Sequence, residues 1–299
     1  MPKYVIAIDA GGTFFKSAII SDKAEVLEGS LTTVPANSDS SSETVREAYR
    51  RTLTAQMKNA SKVGIEISAV AIDSPGPFDY EAGMSLMTHK FKAIYQIPLR
   101  PWINEVVGDM PVTFIHDSAA FLTGEMWHCP YGDFKNAAGA MIGTGLGFAT
   151  MKDGLLLRNP MGEPLYDVWN CPYDSGDGKK HIAEDFVSGR GISSRYAPGG
   201  KNAKELEFLA ISGDEAAKKV YADTGRILAE VVSPILKKID AEIFILGGQI
   251  SRALPLFEKE LREGLADVAS LKKIVRSTRL EYSHMLGAAR EAFSKMETR

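Results

Sequence analysis

Residues 4–21 read YVIAIDAGGTFFKSAIIS. The apolar run before the acid predicts a buried strand, and the apolar run after the threonine predicts its hairpin partner. The turn between them is rich in groups that bind phosphate or metal. These groups are a carboxylate, two stretches of bare backbone, a hydroxyl and a cation, at Asp9, Gly11, Gly12, Thr13 and Lys16. The stretch therefore predicts either a site for a metal-bound polyphosphate or an ordinary Gly-Gly hairpin with an acid at its mouth.

A second loop repeats this arrangement in the other half of the chain. The apolar run 137–142 ends in the turn 143–147, GTGLG, and another apolar run follows. A dinucleotide fingerprint or a P-loop would begin a helix after its glycines, and the chain contains no G-x-x-x-x-G-K-[ST] sequence. Two strand–turn–strand loops therefore predict a duplicated architecture in which both halves face one nucleotide.

A third glycine turn follows the apolar run 243–246. Gly247 and Gly248 precede a predicted helix over about 251–262. Bare backbone at this position suits close packing against a flat ring, and a plain strand–helix turn explains the glycines nearly as well.

Composition narrows the class of protein. The chain has 299 residues, of which 44% are hydrophobic and 24% charged, so it can hold two domains with cores of their own. A formal net charge of −3 provides no basic surface for nucleic acid or for an anionic membrane. We expect no membrane span and no signal peptide, because apolar runs are short and the first strand begins at once. With two cysteines, Cys129 and Cys171, we expect free thiols and a cytoplasmic location.

Strands that alternate with helices predict an α/β fold. Ser40 or Ser41 should cap the first helix, with Glu43 reaching back to the cap. The long helix should be kinked near Pro234. The predicted strands cover about 24–34, 65–72, 112–115 and 137–158. The predicted helices cover about 41–61, 118–127, 214–239 and 286–297, and an irregular segment covers 159–180.

With these motifs in order, the chain resembles the ROK family (repressors, open reading frames and kinases) of the actin–hexokinase–Hsp70 ATPase superfamily. The resemblance covers the whole length. The matching segments are 9–16 (DAGGTFFK), 74–79 (SPGPFD), 116–120 (HDSAA), 143–147 (GTGLG), 162–163 (GE), 184–190 (EDFVSGR) and 246–248 (LGG).

The resemblance implies a two-domain, actin-like and hexokinase-like fold, a duplicated ribonuclease-H-like architecture with an interdomain cleft. We expect residues 1–117 and 286–299 to form the N-terminal domain, with the first phosphate loop, the sugar-side loop and the catalytic Asp117. Residues 118–285 should form the C-terminal domain, with the second phosphate loop, the adenosine site and the glutamates that contact sugar. Homodimers are common among proteins of this resemblance, so we expect a homodimer.

The activity implied by the resemblance is ATP-dependent phosphorylation of a hexose hydroxyl, most often at C6. Asp117 occupies the position of the general base, although an Asp at a strand–helix junction is also a common helix N-cap. Asp9 would hold Mg²⁺ through water. The expected ATP-binding residues are Gly11, Gly12, Thr13, Lys16, Gly143, Thr144, Gly145, Gly247 and Gly248. The expected sugar-binding residues are Gly76, His89, His116, Asp117, Glu163 and Glu184.

The zinc segment of the family is missing. Tyr166 stands where the family has a His, and the family's cysteine positions fall on Ser175, Asp177 and Ile182. Cys171 and His181 alone do not provide the three or four ligands of a zinc site. We therefore expect no zinc, and we expect residues 166–182 to be ordered by packing of Tyr166, Trp169 and Tyr173 or to stay mobile until sugar binds.

Two further departures concern the substrate. The family's Asn before the catalytic Asp is His116, and the loop 87–91 reads MTHKF in place of the usual Asn-Leu-x-Trp-like run. His89 and Lys90 could contact a hydroxyl or an anionic group of the substrate, or form a solvated loop. Glucose is the first expectation, while fructose, mannose, an N-acetylhexosamine and a phosphoglycoside remain open, as does polyphosphate in place of ATP.

Two other functions belong to different classes. Family repressors carry an N-terminal helix-turn-helix, whereas the first phosphate strand of this chain starts by Lys3 or Tyr4, so we expect no repressor. A catalytically silent sugar sensor of the same fold is the other alternative. The joint presence of Asp9, Asp117 and both phosphate loops favours a kinase over that sensor.

Glu184 has an alternative to its expected role in sugar binding. It could be a solvated acid in the first turn of a helix.

Overall fold

Apolar side chains of the described residues, 2–298, collect into two separate cores. The structure is a computed structural model, and its contacts divide the chain into two units. Unit 1 comprises the chain up to Tyr131, the segment Arg158–Glu163 and the chain from Glu281 onward. Unit 2 comprises Gly132–Leu157 and Pro164–Leu280.

Unit 1 is built on a sheet with helices from both ends of the chain. Its strands are β1 (Tyr4–Ala10), β2 (Phe14–Ser21), β3 (Thr32–Pro35), β4 (Ile67–Ser74), β5 (Phe78–Asp79), β6 (Met84–Ser85) and β7 (Val112–His116). Its helices are α1 (Ser42–Lys62), α2 (Arg100–Val107), α3 (Asp117–Met126) and the last helix of the chain, α9 (Ser283–Glu297), with a short 3₁₀ turn at Lys92–Ile94.

The main sheet of unit 1 has the strand order β3-β2-β1-β4-β7. The three strands β1, β4 and β7 run parallel, and β2 and β3 are antiparallel to their neighbours. Ile8 and Ile72 point into the core that includes α1, because alternate residues of a strand face one side of the sheet. The other residues of β1 and β4 face the side where α9 packs on these strands. Asp9 and Asp73 are on that side, each one residue before the end of its strand.

Unit 2 repeats the plan. Its strands are β8 (Ala137–Ile142), β9 (Leu146–Lys152), β10 (Leu155–Leu156), β11 (Pro172–Tyr173), β12 (His181–Ile182), β13 (Ile243–Gly247) and β14 (Lys273–Arg276). Its helices are α4 (Glu184–Val187), α5 (Gly189–Ser194), α6 (Ala203–Ile211), α7 (Glu215–Lys238) and α8 (Glu258–Gly264), with a 3₁₀ helix at Gln249–Leu256. The main sheet has the order β10-β9-β8-β13-β14, and β8, β13 and β14 run parallel. The predicted α/β architecture with two similar sheets is therefore confirmed.

Several elements differ from the sequence prediction. The third strand covers only Thr32–Pro35, because the chain turns over Leu27–Ser30, where Gly29 has a φ of 72°. Ser41 caps α1 by accepting a hydrogen bond from the Thr44 backbone N–H, and Glu43 pairs with Arg46 and does not reach back to the cap. The helix predicted over 251–262 is a 3₁₀ helix followed by the short α8.

The contacts divide the chain differently from the predicted boundaries at 117/118 and 285/286. Helix α3 belongs to unit 1 because it packs closely along α9. A Cβ at Gly287 would overlap the carbonyl oxygen of Ala120, and one at Gly124 would overlap that of Ser283, so only glycine permits this approach. Glu163, expected in the C-terminal domain, lies in unit 1, where Arg158 forms a bidentate ion pair with Glu291.

Candidate active site

The first phosphate loop joins β1 to β2 in unit 1. Asp9 pairs in register with Lys16 across the hairpin, and Thr13 is exposed between the strands. A Cβ at Gly11 would lie 3.9 Å from Asp9 Oδ1, and one at Gly12 would lie 3.4 Å from Ser38 Oγ and 3.5 Å from Lys90 Cδ. The stem of Lys90 therefore lies against this loop. His89 is exposed.

Asp117 is the first residue of α3, directly after β7. His116 is the N-cap, and its Nδ1 lies 3.0 Å from Asp117 Oδ1. Asp117 Oδ1 also accepts hydrogen bonds from the backbone N–H and the hydroxyl of Ser118, at 2.6 and 3.1 Å. Burial would raise the pKa of Asp117, but the interactions with His116, the charge of His284 and the Ser118 N–H outweigh it and hold that pKa well below its usual range. Asp117 is therefore an ionised carboxylate at neutral pH. The cap of α3 is His116 and not Asp117.

Three other predicted sugar-side residues meet at the same end of the sheet. A Cβ at Gly76 would lie 3.1 Å from Glu163 Oε1 and 3.3 Å from His116 Nε2. Asn159 fixes Glu163, because its side chain accepts the Glu163 backbone N–H at 3.1 Å. Gly76, His116, Asp117 and Glu163 thus form one cluster within unit 1.

Tyr80 belongs to this cluster although sequence reasoning did not single it out. Its hydroxyl donates to the Ser74 carbonyl oxygen at 3.0 Å, and its ring lies 5.8 Å from that of His116. Burial, and then the charges of Asp117 and Glu163, raise the pKa of Tyr80 well above its usual value. Tyr80 therefore stays neutral and supports the loop that carries Gly76.

The second phosphate loop joins β8 to β9 in unit 2. Gly143 N–H donates to the Gly145 carbonyl at 3.0 Å, and its own carbonyl accepts from Gly189 N–H at 2.7 Å. Glu184 Oε2 accepts from the Leu146 backbone N–H at 2.9 Å, and a Cβ at Gly145 would lie 2.7 Å from that oxygen. The loop is therefore tight, and Thr144 is exposed at its tip.

Glu184 is held by this loop and by a cation. Arg190 donates to Glu184 Oε1 at 3.0 Å, and the glutamate side chain is 20% exposed. The contact with Leu146 was not expected from the sequence, and the role of Glu184 in sugar binding stays a prediction. Within unit 2, Glu184 fixes the second phosphate loop.

The third glycine turn lies beside the second phosphate loop. Gly248 has a φ of 78°, and a Cβ there would overlap the carbonyl oxygen of Ile142, the residue before Gly143. A left-handed φ and this close approach both require glycine. Gly247 ends β13 in register with Met141, so the two predicted ATP-binding segments are neighbours within unit 2.

The segment that replaces the family's zinc region is ordered by packing and a short hairpin. β11 pairs with β12, Tyr173 is buried and its ring lies 4.8 Å from that of Phe186. His181 Nε2 lies 3.0 Å from Asp177 Oδ1. Tyr166 packs on the core as predicted, whereas Trp169 is 42% exposed and contributes little.

Sequence reasoning also missed Asp73, which lies in β4 just before the sugar-side loop. Asp73 is fully buried, and neither of its carboxylate oxygens has a hydrogen-bond partner. The residue pairs in register with Asp9, a relation that appears only once β1 and β4 are aligned.

Among residues 2–298, no group of three or more His, Cys, Asp or Glu side chains is arranged to hold a metal ion. No helix in the described part of the chain is long and apolar enough to cross a membrane.

Two known proteins with similar sequences are sugar kinases. A sequence model of the ROK family matches residues 5–292. An N-acetylmannosamine kinase of Escherichia coli (strain SMS-3-5 / SECEC) is 27% identical over 261 residues, which cover 83% of this chain and 84% of that protein. The glucokinase of Thermotoga maritima is 27% identical over 322 residues, which cover 97% of both proteins.

A solved structure has the same fold. The ROK family glucokinase from Streptomyces griseus, crystallised with glucose and AMPPNP, superposes with a TM-score of 0.75. The superposition covers 97% of this chain and 99% of that one at 19% identity. The chain therefore belongs to the ROK family, as its motifs indicate, and it has the two-domain α/β fold of ROK kinases.

Proposed function

We propose that this protein is an ATP-dependent hexose kinase that transfers the γ-phosphoryl group of ATP to a sugar hydroxyl, at C6, with Asp117 as general base. The observation that carries this proposal is the cluster of Gly76, His116, Asp117 and Glu163. It joins an ionised carboxylate to hydrogen-bonding groups at the carboxyl ends of parallel strands, where α/β sheets bind their ligands.

Asp117 has the properties of a positioned base. Its carboxylate is 30% exposed, so a hydroxyl can approach it, and its low pKa keeps it ionised. In the transfer, the sugar oxygen forms a bond to the γ-phosphorus as the bond to the ADP oxygen breaks, and the hydroxyl proton passes to Asp117. A carboxylate in this role contributes on the order of 10²–10⁴-fold to the rate. His116 orients that carboxylate through Nδ1.

The residues of the phosphate loops fit Mg-ATP. Asp9 lies beside Gly11 and would hold Mg²⁺ through water, and the metal would neutralise charge on the phosphates. Backbone N–H groups in the two glycine turns, with the exposed Thr13 and Thr144, would bind phosphate oxygens. Lys90, whose stem lies on Gly12, would add a cation there. In this proposal Lys90 acts on phosphate and not on a sugar hydroxyl.

Glu163 and His116 would bind sugar hydroxyls, and the Glu163 carboxylate can accept hydrogen bonds from two neighbouring hydroxyl groups. Gly76 leaves room for the ring, since any Cβ would crowd both side chains. Glucose is the first candidate, and N-acetylmannosamine is the second, because one relative is a glucokinase and another an N-acetylmannosamine kinase.

The test is a coupled ADP-release assay with Mg-ATP and a panel of hexoses, N-acetylhexosamines and phosphoglycosides. One sugar should raise the rate of ADP release far above the rate without sugar. If no sugar of the panel raises the rate of ADP release although the protein binds AMPPNP, the result would contradict the proposal and favour a sugar sensor of the same fold.

A further inference from the structure

Asp73 is a buried acid that the proposed reaction does not use. Its side chain is 0% exposed, and both carboxylate oxygens lack a hydrogen-bond partner among the described residues. An isolated charge in such a position is costly, so buried carboxylates are paired, protonated or bound to a cation. Asp73 is therefore either protonated or bound to a cation that the described residues do not provide.

The neighbours of Asp73 add to the cost of its charge. Asp73 and Asp9 are register partners on parallel strands, so their side chains leave the same face of the sheet about 4.8 Å apart. Burial, and then the charges of Asp9 and Asp117, raise the pKa of Asp73 well above its usual value. Three carboxylates thus lie at the carboxyl ends of three adjacent parallel strands, since Asp9 and Asp73 are the last residues but one of β1 and β4, and Asp117 follows β7.

The basic side chains near these three acids interact with Asp117 or Asp9. His116 and His284 act on Asp117, and Lys16 is the cross-strand partner of Asp9, with its side chain exposed. Besides burial, the side-chain charges that raise the pKa of Asp73 are those of Asp9 and Asp117, and both are negative.

We propose that Asp73 and Asp9 together bind one divalent cation, Mg²⁺ or Mn²⁺, before any nucleotide is present. Mg²⁺ is typically held by one or two carboxylates and completes its six positions with water and substrate phosphates. Two carboxylates beside the first phosphate loop match this donor set and need no third protein ligand, in keeping with the absence of larger ligand clusters in residues 2–298. The proposal deepens the proposed function, since the metal of Mg-ATP would then be bound in part by Asp73.

The test measures binding of Mn²⁺ to the nucleotide-free, sugar-free protein, by the loss of the free Mn²⁺ signal in electron paramagnetic resonance. We expect one Mn²⁺ per chain in the wild-type protein and at least a tenfold weaker affinity in Asp73→Asn. Asp109→Asn changes an exposed acid of the same unit and should bind Mn²⁺ as the wild type does. Competition by Mg²⁺ should release the bound Mn²⁺.

A second readout is thermal unfolding. Asp73→Asn removes the buried negative charge, so its Tm without metal should equal or exceed that of the wild type, while added Mn²⁺ should raise only the wild-type and Asp109→Asn values. Asp73→Ser provides a second variant if the Asn variant does not fold.

The proposal is overturned if the wild-type protein binds no Mn²⁺ without nucleotide, or if the Asp73 variants bind it with wild-type affinity, since Asp73 would then hold a proton. Neither result depends on turnover. A protein that binds Mn²⁺ through Asp73 and phosphorylates no sugar would contradict the proposed function and leave the metal site standing.

Discussion

The two main sheets follow one plan, but the carboxyl ends of their parallel strands carry different residues. In unit 1 these ends present carboxylates, at Asp9, Asp73 and Asp117. In unit 2 the corresponding strands β8 and β13 end in glycine turns, at Gly143 and at Gly247-Gly248, where close contacts leave no room for a side chain at Gly248.

The difference suggests how one fold serves two tasks. Carboxylates suit a metal ion and a proton, whereas bare N–H groups suit phosphates and a flat base. The strand order alone therefore does not determine what an edge of the sheet binds, and the residues that end the strands do. The following predictions test this division between the units.

The largest expected effect is on catalysis in unit 1. Asp117→Asn removes the proton acceptor but keeps the shape, so kcat should fall by about 10²–10⁴-fold while the sugar Kd changes only a few-fold. Steady-state ADP release and calorimetric sugar titration measure the two quantities. Asp109→Asn is the control and should keep wild-type kcat. Near-wild-type kcat in Asp117→Asn would remove Asp117 from the role of general base.

The close helix pairs of the two units should be equally intolerant of a methyl group. Gly287→Ala in unit 1 and Gly225→Ala in unit 2 each place a Cβ against a backbone carbonyl, of Ala120 and Phe257 respectively. Each should lower the free energy of unfolding by about 3 kcal/mol or more, the upper range for overpacking.

The matched control for these variants is Gly64→Ala. Its Cβ meets nothing within 4 Å, so only the left-handed φ of 66° opposes it, at a cost of about 1 kcal/mol. Urea unfolding gives all three values. Equal costs at Gly64 and Gly287 would show that the α3–α9 contact tolerates side chains.

Much of the fold follows from the sequence because its signals are local. Apolar runs and glycine turns predict the hairpins around Gly11 and Gly143, and a cap residue locates the start of α1 within a few positions. The strand predicted over 24–34 is too long because a turn over Leu27–Ser30, with Gly29 at a φ of 72°, interrupts it, and the apolar residues on either side hide this single glycine.

The sequence predicts the site residues that lie in recognisable motifs, but it does not predict the residue whose burial depends on packing. Gly76, His116, Asp117 and Glu163 lie in recognisable segments, and they meet in unit 1. Burial of Asp73 depends on strand register and on the helices above the sheet, which no local pattern encodes.

A smaller effect separates two roles for Glu184. If its carboxylate fixes the second phosphate loop through Leu146, Glu184→Gln should weaken binding of AMPPNP by about 10-fold, as expected for loss of a charged hydrogen bond worth about 1.5 kcal/mol. The sugar Kd should change less. Calorimetric titrations with each ligand decide the matter, and a change confined to the sugar would restore the role expected from the family resemblance.

The smallest expected effect is on the pH dependence of unit 2. A hydrogen bond from Lys272, and then the backbone N–H groups of Lys135 and Asn136, lower the pKa of Glu242 to about 2. The carboxyl of an unfolded Glu has a pKa of about 4.3. The stabilisation that ionised Glu242 gives to the folded protein is therefore complete above that pH, and it is lost as the pH falls toward the folded pKa.

Glu242→Gln should therefore cost about 1 kcal/mol or less at pH 7, since the pair is partly exposed. The difference in Tm from the wild type should shrink as the pH falls from 5 toward 2. A difference that is constant over this range would mean that packing, and not charge, accounts for the effect of Glu242.

The most direct test of the central claim is ³¹P NMR of a reaction containing the protein, Mg-ATP and the sugar that gives the fastest ADP release. We predict a new phosphomonoester signal that matches the hexose 6-phosphate and grows in step with ADP. Growth of inorganic phosphate in its place, or no loss of ATP with any sugar, would contradict the claim that this protein is a hexose kinase.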